Sequence, residues 1–157
     1  MGIVLSTAEC ESLCNLWRHE QKTIVFTNGC FDLIHPGHVR LLEQARECGD
    51  VLLVAINSDR SVSDLKGSKR PIQPQHHRAG ILASLEAVDA VTIFDENTPC
   101  VLLERLLPDI LVKGADWGHR VVGREVVEKA GGKVFTLPFE KGYSTTDILK
   151  LILGHLS

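Results

Sequence analysis

The chain carries the apolar run Val51-Leu52-Leu53-Val54-Ala55-Ile56, which no polar side chain interrupts. A strand with one solvated face alternates apolar and polar residues, whereas a strand covered on both faces of a parallel sheet reads as a continuous apolar run. Other short strand-like runs occur at 23–27, 90–94, 110–113 and 134–137, and segments of helical character separate them. This alternation predicts an α/β, Rossmann-like fold, with a five-stranded parallel sheet flanked by helices.

Several of the expected helices have recognisable ends. Ser6-Thr7-Ala8-Glu9 is a capping box that opens a first helix through about Trp17. A second helix follows Pro36 and ends at Gly49. The polar stretch 57–74 is expected to form a long mobile loop. Further helices are expected at 75–85, 98–107, 123–130 and 144–155.

Length and composition exclude several classes of protein. The 157 residues include 17 Lys and Arg and 20 Asp and Glu, and 44% are hydrophobic, which predicts a single domain over 1–157. The faint acidic excess argues against binding to a nucleic-acid polymer. No apolar run reaches the roughly 18 residues that span a bilayer, and the first residues lack a basic signal-peptide segment. Five cysteines without a Cys-x-x-Cys pair favour a cytoplasmic location.

The loop after the first expected strand carries the most informative polar residues. Ligands of open α/β sheets bind beyond the carboxyl ends of the strands. There, His35 and His38 begin the second helix, where free backbone N–H groups and the helix dipole favour an anion. Gly29 and Gly37 permit a close approach of the backbone to a ligand. The spacing alone leaves both a phosphate site and a metal site open.

The full string Gly29-Cys30-Phe31-Asp32-Leu33-Ile34-His35-Pro36-Gly37-His38 resembles the Gly-x-Phe-Asp-x-x-His-x-Gly-His signature of the cytidylyltransferase-like nucleotidyltransferases. The resemblance extends to Arg78, to the segment 112–117 and to the segment 142–146. Within this superfamily, the chain is most similar to the heptose 1-phosphate adenylyltransferases. It has Lys113-Gly114 where the glycerol-3-phosphate cytidylyltransferases typically have Met-Gly, and Phe139 where they have Arg.

The resemblance implies that 1–157 is a nucleotidyltransferase domain that transfers AMP from ATP to a sugar 1-phosphate. Heptose 1-phosphate is the expected acceptor, and ADP-heptose serves lipopolysaccharide biosynthesis. It further implies Mg²⁺ carried with ATP, a homodimer, and a separate sugar kinase. A cytidylyltransferase or FAD-synthetase-type transferase acting on another phosphorylated acceptor remains an alternative, as does a non-catalytic nucleotide-binding domain. A dinucleotide-binding domain would need Gly-x-Gly-x-x-Gly after the first strand.

The same resemblance implies roles for individual residues. The expected catalytic residues are His35, His38 and Lys66. The expected nucleotide-binding residues are Asn28, Gly29, Phe31, His35, Gly37, His38, Lys113, Gly114, Asp116, Ser144, Thr145 and Thr146. The expected substrate-binding residues are Asp32, Lys66, Arg70 and Arg78, and no protein residue is expected to ligate a metal. Simpler interpretations stay open: Lys66 and Arg70 on a solvated loop, Ser144 as a helix cap, and Arg78 paired with Glu86.

Overall fold

The computed structural model describes residues 1–115, 120–138 and 142–157. A parallel sheet of six strands runs in the order β1-β4-β3-β2-β5-β6, with helices flanking it. The strands are β1 (Ile3–Leu5), β2 (Ile24–Gly29), β3 (Val51–Asn57), β4 (Ala90–Phe94), β5 (Ile110–Gly114) and β6 (Lys133–Leu137). The helices are α1 (Thr7–His19), α2 (Pro36–Glu47), α3 (Asp59–Lys66), α4 (Gln75–Ala83), α5 (Cys100–Leu106), α6 (Arg124–Lys129) and α7 (Thr145–Leu156).

The expected α/β, Rossmann-like class with a parallel sheet is confirmed, but the expected number of five strands was wrong. The additional strand is β1, which pairs with β4 at the edge of the sheet. Three residues are too few to show a periodic pattern, and Ile3 and Val4 remain 49% and 48% exposed. Nothing in their sequence therefore distinguishes this edge strand from an apolar chain start.

The expectation of a loop throughout 57–74 was also wrong, because α3 occupies part of it. The Ser58 side chain accepts a hydrogen bond from the Ser61 amide at 3.2 Å and caps the helix. Gly67, with φ of +98°, follows the last residue of α3. Val62 is the one buried apolar residue of α3, so the helix has no repeated apolar stripe that its sequence would reveal.

Two hydrophobic cores cover the two faces of the sheet. Val51, Leu53 and Ala55 of β3 belong to one core, with residues of α1, α5 and α6. The alternate residues Leu52 and Val54 belong to the other core, with residues of α2 and α4. The continuous apolar run of β3 thus results from burial on both faces.

The neighbours of β2 create a crevice at the carboxyl edge of the sheet. β2 pairs with β3 along its whole length, but with β5 only through Val25 and Phe26. Beyond that point the Thr27 hydroxyl donates a hydrogen bond to the Val112 carbonyl at 2.9 Å. The helices that follow β2 and β5, α2 and α6, pack on opposite faces of the sheet, and open α/β sheets bind ligands at such a point. None of the described helices combines the length and apolarity needed to cross a membrane.

Candidate active site

A cavity of about 260 Å³ opens at this crevice. It gathers segments that are far apart in sequence: the loop after β2, the start of α2, the end of α3 with the following loop, the end of β5, and the start of α7. The expected site residues that line it are Asn28, Gly29, Phe31, Asp32, His35, His38, Lys66, Arg70, Lys113, Gly114, Ser144, Thr145 and Thr146. Thr27, Cys30 and Leu41 also line it, although their sequence context did not single them out as site residues.

Two expected site residues do not line the cavity, and a third lies outside the described residues. Gly37 lies behind the ring of His35. Arg78 is fully buried. Asp116 lies in the segment 116–119, outside the described residues.

The start of α2 is built around His35. Proline disfavours the helical conformation in the residue before it, so His35 is extended, with φ of −137° and ψ of 167°, and becomes the N-cap. The Nδ1 atom of His35 accepts a hydrogen bond from the His38 amide at 3.3 Å. The Nδ1 atom of His38 accepts one from the His35 amide at 3.4 Å. The two histidines thus form a reciprocal capping box.

This capping favours one position for the proton of each imidazole. An Nδ1 atom that accepts a hydrogen bond is unprotonated, so these contacts favour the tautomer of each neutral ring that carries its proton on Nε2. Burial, with smaller effects of His35 and Lys66, lowers the pKa of His38 to about 4. Burial also lowers the pKa of His35. At neutral pH both rings are therefore uncharged Nε2–H donors that line the cavity.

Phe31 and Gly37 hold the two rings in place. The backbone of Phe31 has φ of 47°, a conformation that residues with a side chain rarely adopt. The centroid of its ring lies 5.1 Å from that of the His38 ring. A Cβ atom at Gly37 would lie 3.1 Å from Nδ1 of His35 and 3.2 Å from Cβ of Tyr143. Gly37 therefore leaves room for the His35 ring. That ring also stacks on the Tyr143 ring, with 6.2 Å between the two ring centroids.

The carboxylate of Asp32 accepts hydrogen bonds from other groups of the protein. Its side chain is completely buried and accepts hydrogen bonds from Arg70 Nε at 2.6 Å and from the Ile72 and Gln73 amides at 2.9 Å each. Burial raises the pKa of Asp32, but these hydrogen bonds outweigh it and hold that pKa below its usual value. Asp32 thereby places the Arg70 guanidinium at the cavity, and Arg70 Nη2 is buried without a hydrogen-bond partner among the described residues.

Arg78 stabilises the loop after β2, which also carries Asp32. Its Nε donates to the Gln73 carbonyl at 3.0 Å, its Nη1 to the Cys30 carbonyl at 2.5 Å, and its Nη2 to Asp59 at 2.8 Å. The structure therefore assigns its donors to the protein, and its carboxylate partner is Asp59 rather than Glu86. Arg78 joins the loop after β2 to the segment that carries Arg70.

The start of α7 forms another wall. The Ser144 hydroxyl accepts a hydrogen bond from the Asp147 amide at 3.0 Å, so Ser144 is the helix cap. The Thr145 hydroxyl donates to the Leu33 carbonyl at 3.2 Å and ties α7 to the loop before α2. Free amides at the start of a helix, together with its dipole, favour an anion.

The charges around the cavity suit an anionic ligand. Lys66, Arg70 and Lys113 supply cationic side chains, and two helix starts add partial positive charge. Among the described residues, the only carboxylate that lines the cavity is Asp32, which is paired with Arg70. No group of three or more His, Cys, Asp or Glu side chains within 1–115, 120–138 and 142–157 is arranged to hold a metal ion. This arrangement can bind phosphate groups and stabilise charge that develops on their oxygens.

Comparison with known proteins places this geometry in a family context. A family model described as cytidylyltransferase-like matches residues 26–151. "Bifunctional protein HldE" of Koribacter versatilis is 53% identical over 148 residues, which cover 94% of this chain and 30% of that protein. The protein of the same name from Citrifermentans bemidjiense is 54% identical over 134 residues, covering 85% and 28%. The chain thus spans about 30% of the length of these curated relatives.

Solved structures share the fold. The crystal structure of a lipopolysaccharide core biosynthesis protein from Thermoplasma volcanium matches with a TM-score of 0.60 and 24% identity, over 78% of this chain and 99% of that one. Pantothenate synthetase from Thermus thermophilus matches with a TM-score of 0.67 and 16% identity, over 94% of this chain and 67% of that one. At these identities the likeness concerns the fold alone.

Proposed function

The chain belongs to the cytidylyltransferase-like family, and from that premise we propose that it transfers AMP from ATP to a sugar 1-phosphate, releasing pyrophosphate. Heptose 1-phosphate is the proposed acceptor. The motif resemblance and the relatives named HldE support this choice. ADP-heptose is then the product, and lipopolysaccharide biosynthesis is its proposed use.

The observation that carries the proposal is the pair of neutral histidines at the start of α2, facing the same cavity as Lys66 and Arg70. An oxygen of the acceptor phosphate attacks the α-phosphorus of ATP, the bond to the bridging oxygen breaks, and pyrophosphate leaves. The attacking oxygen is already ionised near neutral pH, so the step needs no strong general base. Catalysis then consists of positioning and of stabilising oxygens that gain charge.

The proposed roles follow from the position of each group. His35 and His38 donate from Nε2 to phosphate oxygens, and the start of α7 binds the triphosphate. Arg70, held by Asp32, binds the acceptor phosphate, and Lys66 neutralises charge between the two substrates. Mg²⁺ would be carried with ATP and would offset the negative charge of the triphosphate, and no metal-binding group of His, Cys, Asp or Glu side chains is found within 1–115, 120–138 and 142–157.

Pyrophosphate release in a matrix of nucleotides and acceptors tests this function. We expect release with ATP and heptose 1-phosphate, and little with CTP or with glycerol 3-phosphate. Turnover with CTP but not with ATP, or with flavin mononucleotide as the acceptor, would show that the chain is a different transferase of the same family. Nucleotide binding without release for any acceptor would identify a binding domain and overturn the proposal.

We also propose that the chain acts in the cytoplasm as a homodimer. In support of a dimer, α7 has no buried residue and leaves Leu151, Leu153 and Leu156 between 63% and 80% exposed. Sedimentation velocity over a range of concentrations is expected to show a dimer that Leu153→Lys weakens. A monomer at every concentration refutes the dimer.

A further inference from the structure

Lys113 spans the gap that opens between β2 and β5. Regular pairing of these strands ends at Phe26 and Leu111, two residues before Asn28 and Lys113. Lys113 is 8% exposed, and its ammonium donates to the Asn28 carbonyl at 3.3 Å and to the Oδ1 atom of the Asn28 side chain. The ammonium is therefore engaged with β2 at the cavity wall, rather than projecting from β5 as an independent cation.

These contacts settle how the Asn28 carboxamide is turned. A lysine ammonium only donates hydrogen bonds, so the atom of the carboxamide that faces Lys113 has to be the oxygen. The amino group, Nδ2, then occupies the other position. Asn28 lines the cavity, and its Nδ2 makes no hydrogen bond to any residue of 1–115, 120–138 or 142–157, nor is it sealed from solvent.

We propose that Lys113 is a positioning residue that turns the Asn28 carboxamide so that its Nδ2 donors face the cavity and bind an acceptor-only oxygen, of the kind a phosphate carries. The proposal rests on the proposed function for the identity of the ligand as a nucleotide. It changes the role of Lys113, since the lysine acts on the substrate through Asn28.

The surroundings favour a phosphate oxygen as the partner of Nδ2. Asn28 precedes Gly29 at the carboxyl end of β2, and Lys66, Arg70 and His38 line the same cavity. A ligand group that accepts hydrogen bonds and carries negative charge satisfies all of these donors together. A donor group in that place would leave Nδ2 opposed by another donor.

A double-mutant cycle on nucleotide binding and turnover tests the proposal. Asn28→Ala removes the donor and is expected to weaken ATP binding or turnover about 10- to 100-fold, the range for a hydrogen bond to a charged group. Lys113→Met removes the ammonium and is expected to cost about tenfold. Because Lys113 acts through Asn28, the double variant should be no weaker than Asn28→Ala alone. Additive effects, or a Lys113→Met variant equal to wild type, would overturn it.

The Asn28→Asp variant tests whether the ligand needs a hydrogen-bond donor at the position of Nδ2, rather than any polar side chain of this size. The carboxylate keeps its contact with Lys113 but presents an oxygen where Nδ2 stood. We expect this variant to bind ATP more weakly than Asn28→Ala, since the new oxygen repels a phosphate oxygen. Equal or tighter binding by Asn28→Asp contradicts a phosphate at this position.

A readout without any substrate separates this inference from the proposed function. In ¹⁵N-labelled protein, the side-chain amide signal of Asn28 is identified by its loss in Asn28→Ala. We expect that signal to shift in Lys113→Met and to stay in place in the surface control Lys69→Met, whose thermal unfolding should match that of wild type. An unshifted signal overturns the positioning role, whether or not the protein transfers nucleotides.

Discussion

The single residue on which the proposed chemistry depends most is His38. Its Nδ1 is committed to the His35 amide, which leaves Nε2 to donate to a phosphate. His38→Ala is expected to lower kcat by roughly 10²–10³, the scale for losing one donor to a transition-state oxyanion. Steady-state kinetics with ATP and the sugar phosphate measures this, and the exposed His76→Ala serves as control. Wild-type turnover in His38→Ala excludes the assigned role.

Two conservative variants separate the two nitrogens of the ring. Glutamine reaches the position of Nε2 with an amide donor, whereas asparagine reaches only the position of Nδ1. We expect His38→Gln to retain more turnover than His38→Asn. The reverse order means that the capping contact of Nδ1, rather than donation from Nε2, is what the enzyme needs.

The same buried ring makes stability depend on pH. The pKa of His38 falls from an ordinary value of 6.5 to about 4 on folding. Between those values the unfolded chain binds a proton that the folded chain does not, so stability is lost as pH falls from about 6.5 to about 4. We expect a loss of about 1–2 kcal/mol in the free energy of unfolding between pH 7.5 and 5 from this group.

Urea unfolding at both pH values measures this loss. His38→Gln has no group that titrates in this range, so its stability should fall less than that of wild type over the same interval. An equal fall in both proteins assigns the pH dependence to other groups.

At the scale of elements, the loop after β2 and the segment after α3 are held together by buried charges. Arg78→Met leaves the Cys30 and Gln73 carbonyls without their donor. Each unsatisfied buried group costs about 1–3 kcal/mol, so we expect a loss of at least that size in the free energy of unfolding. Urea denaturation measures it, with Arg60→Ala on the exposed face of α3 as the matched control. A loss no larger than that of Arg60→Ala would show that Arg78 does not fasten the loop.

The length and burial of the individual elements explain why some parts of the fold were predictable from the sequence and others were not. The strand β3 was predictable because burial on both faces leaves seven buried residues in a row. The strand β1 was not, because it has three residues, and neither was α3, because Val62 is its sole apolar anchor. Periodicity needs repeated apolar positions, and neither element has them.

Some features of the candidate active site were likewise predictable from the sequence, and others were not. The motif from Gly29 to His38 indicated which residues surround the cavity, because nearby residues on one loop stay together in any fold. The sequence did not indicate which of them face inward. Only the three-dimensional contacts show that Arg78, which the resemblance placed among the substrate-binding residues, is fully buried and directs its donors to Cys30, Gln73 and Asp59.

At the scale of the whole molecule, the cavity joins segments whose stabilities differ. The strand β3 is buried at every residue, whereas α7 has no buried residue, although Ser144 to Thr146 at its start line the same cavity. An element with few buried contacts opens at low free-energy cost, and a ligand that binds only the closed form raises that cost. ATP bound at the start of α7 should therefore slow the local opening of that helix.

Amide hydrogen exchange of the Leu153→Lys variant, in which the proposed dimer contact of α7 is weakened, tests this coupling. At ATP about 100 times above its dissociation constant, exchange within α7 is expected to slow by up to about 100-fold, the limit set by ligand linkage. Exchange in β3 is expected to be so slow already without ligand that further slowing is not measurable on the same timescale. Ser144→Ala with Thr146→Ala should reduce the effect in α7 while leaving β3 as in wild type. Equal exchange in α7 with and without ATP, under conditions where ATP binds, would mean that the triphosphate does not contact the start of this helix.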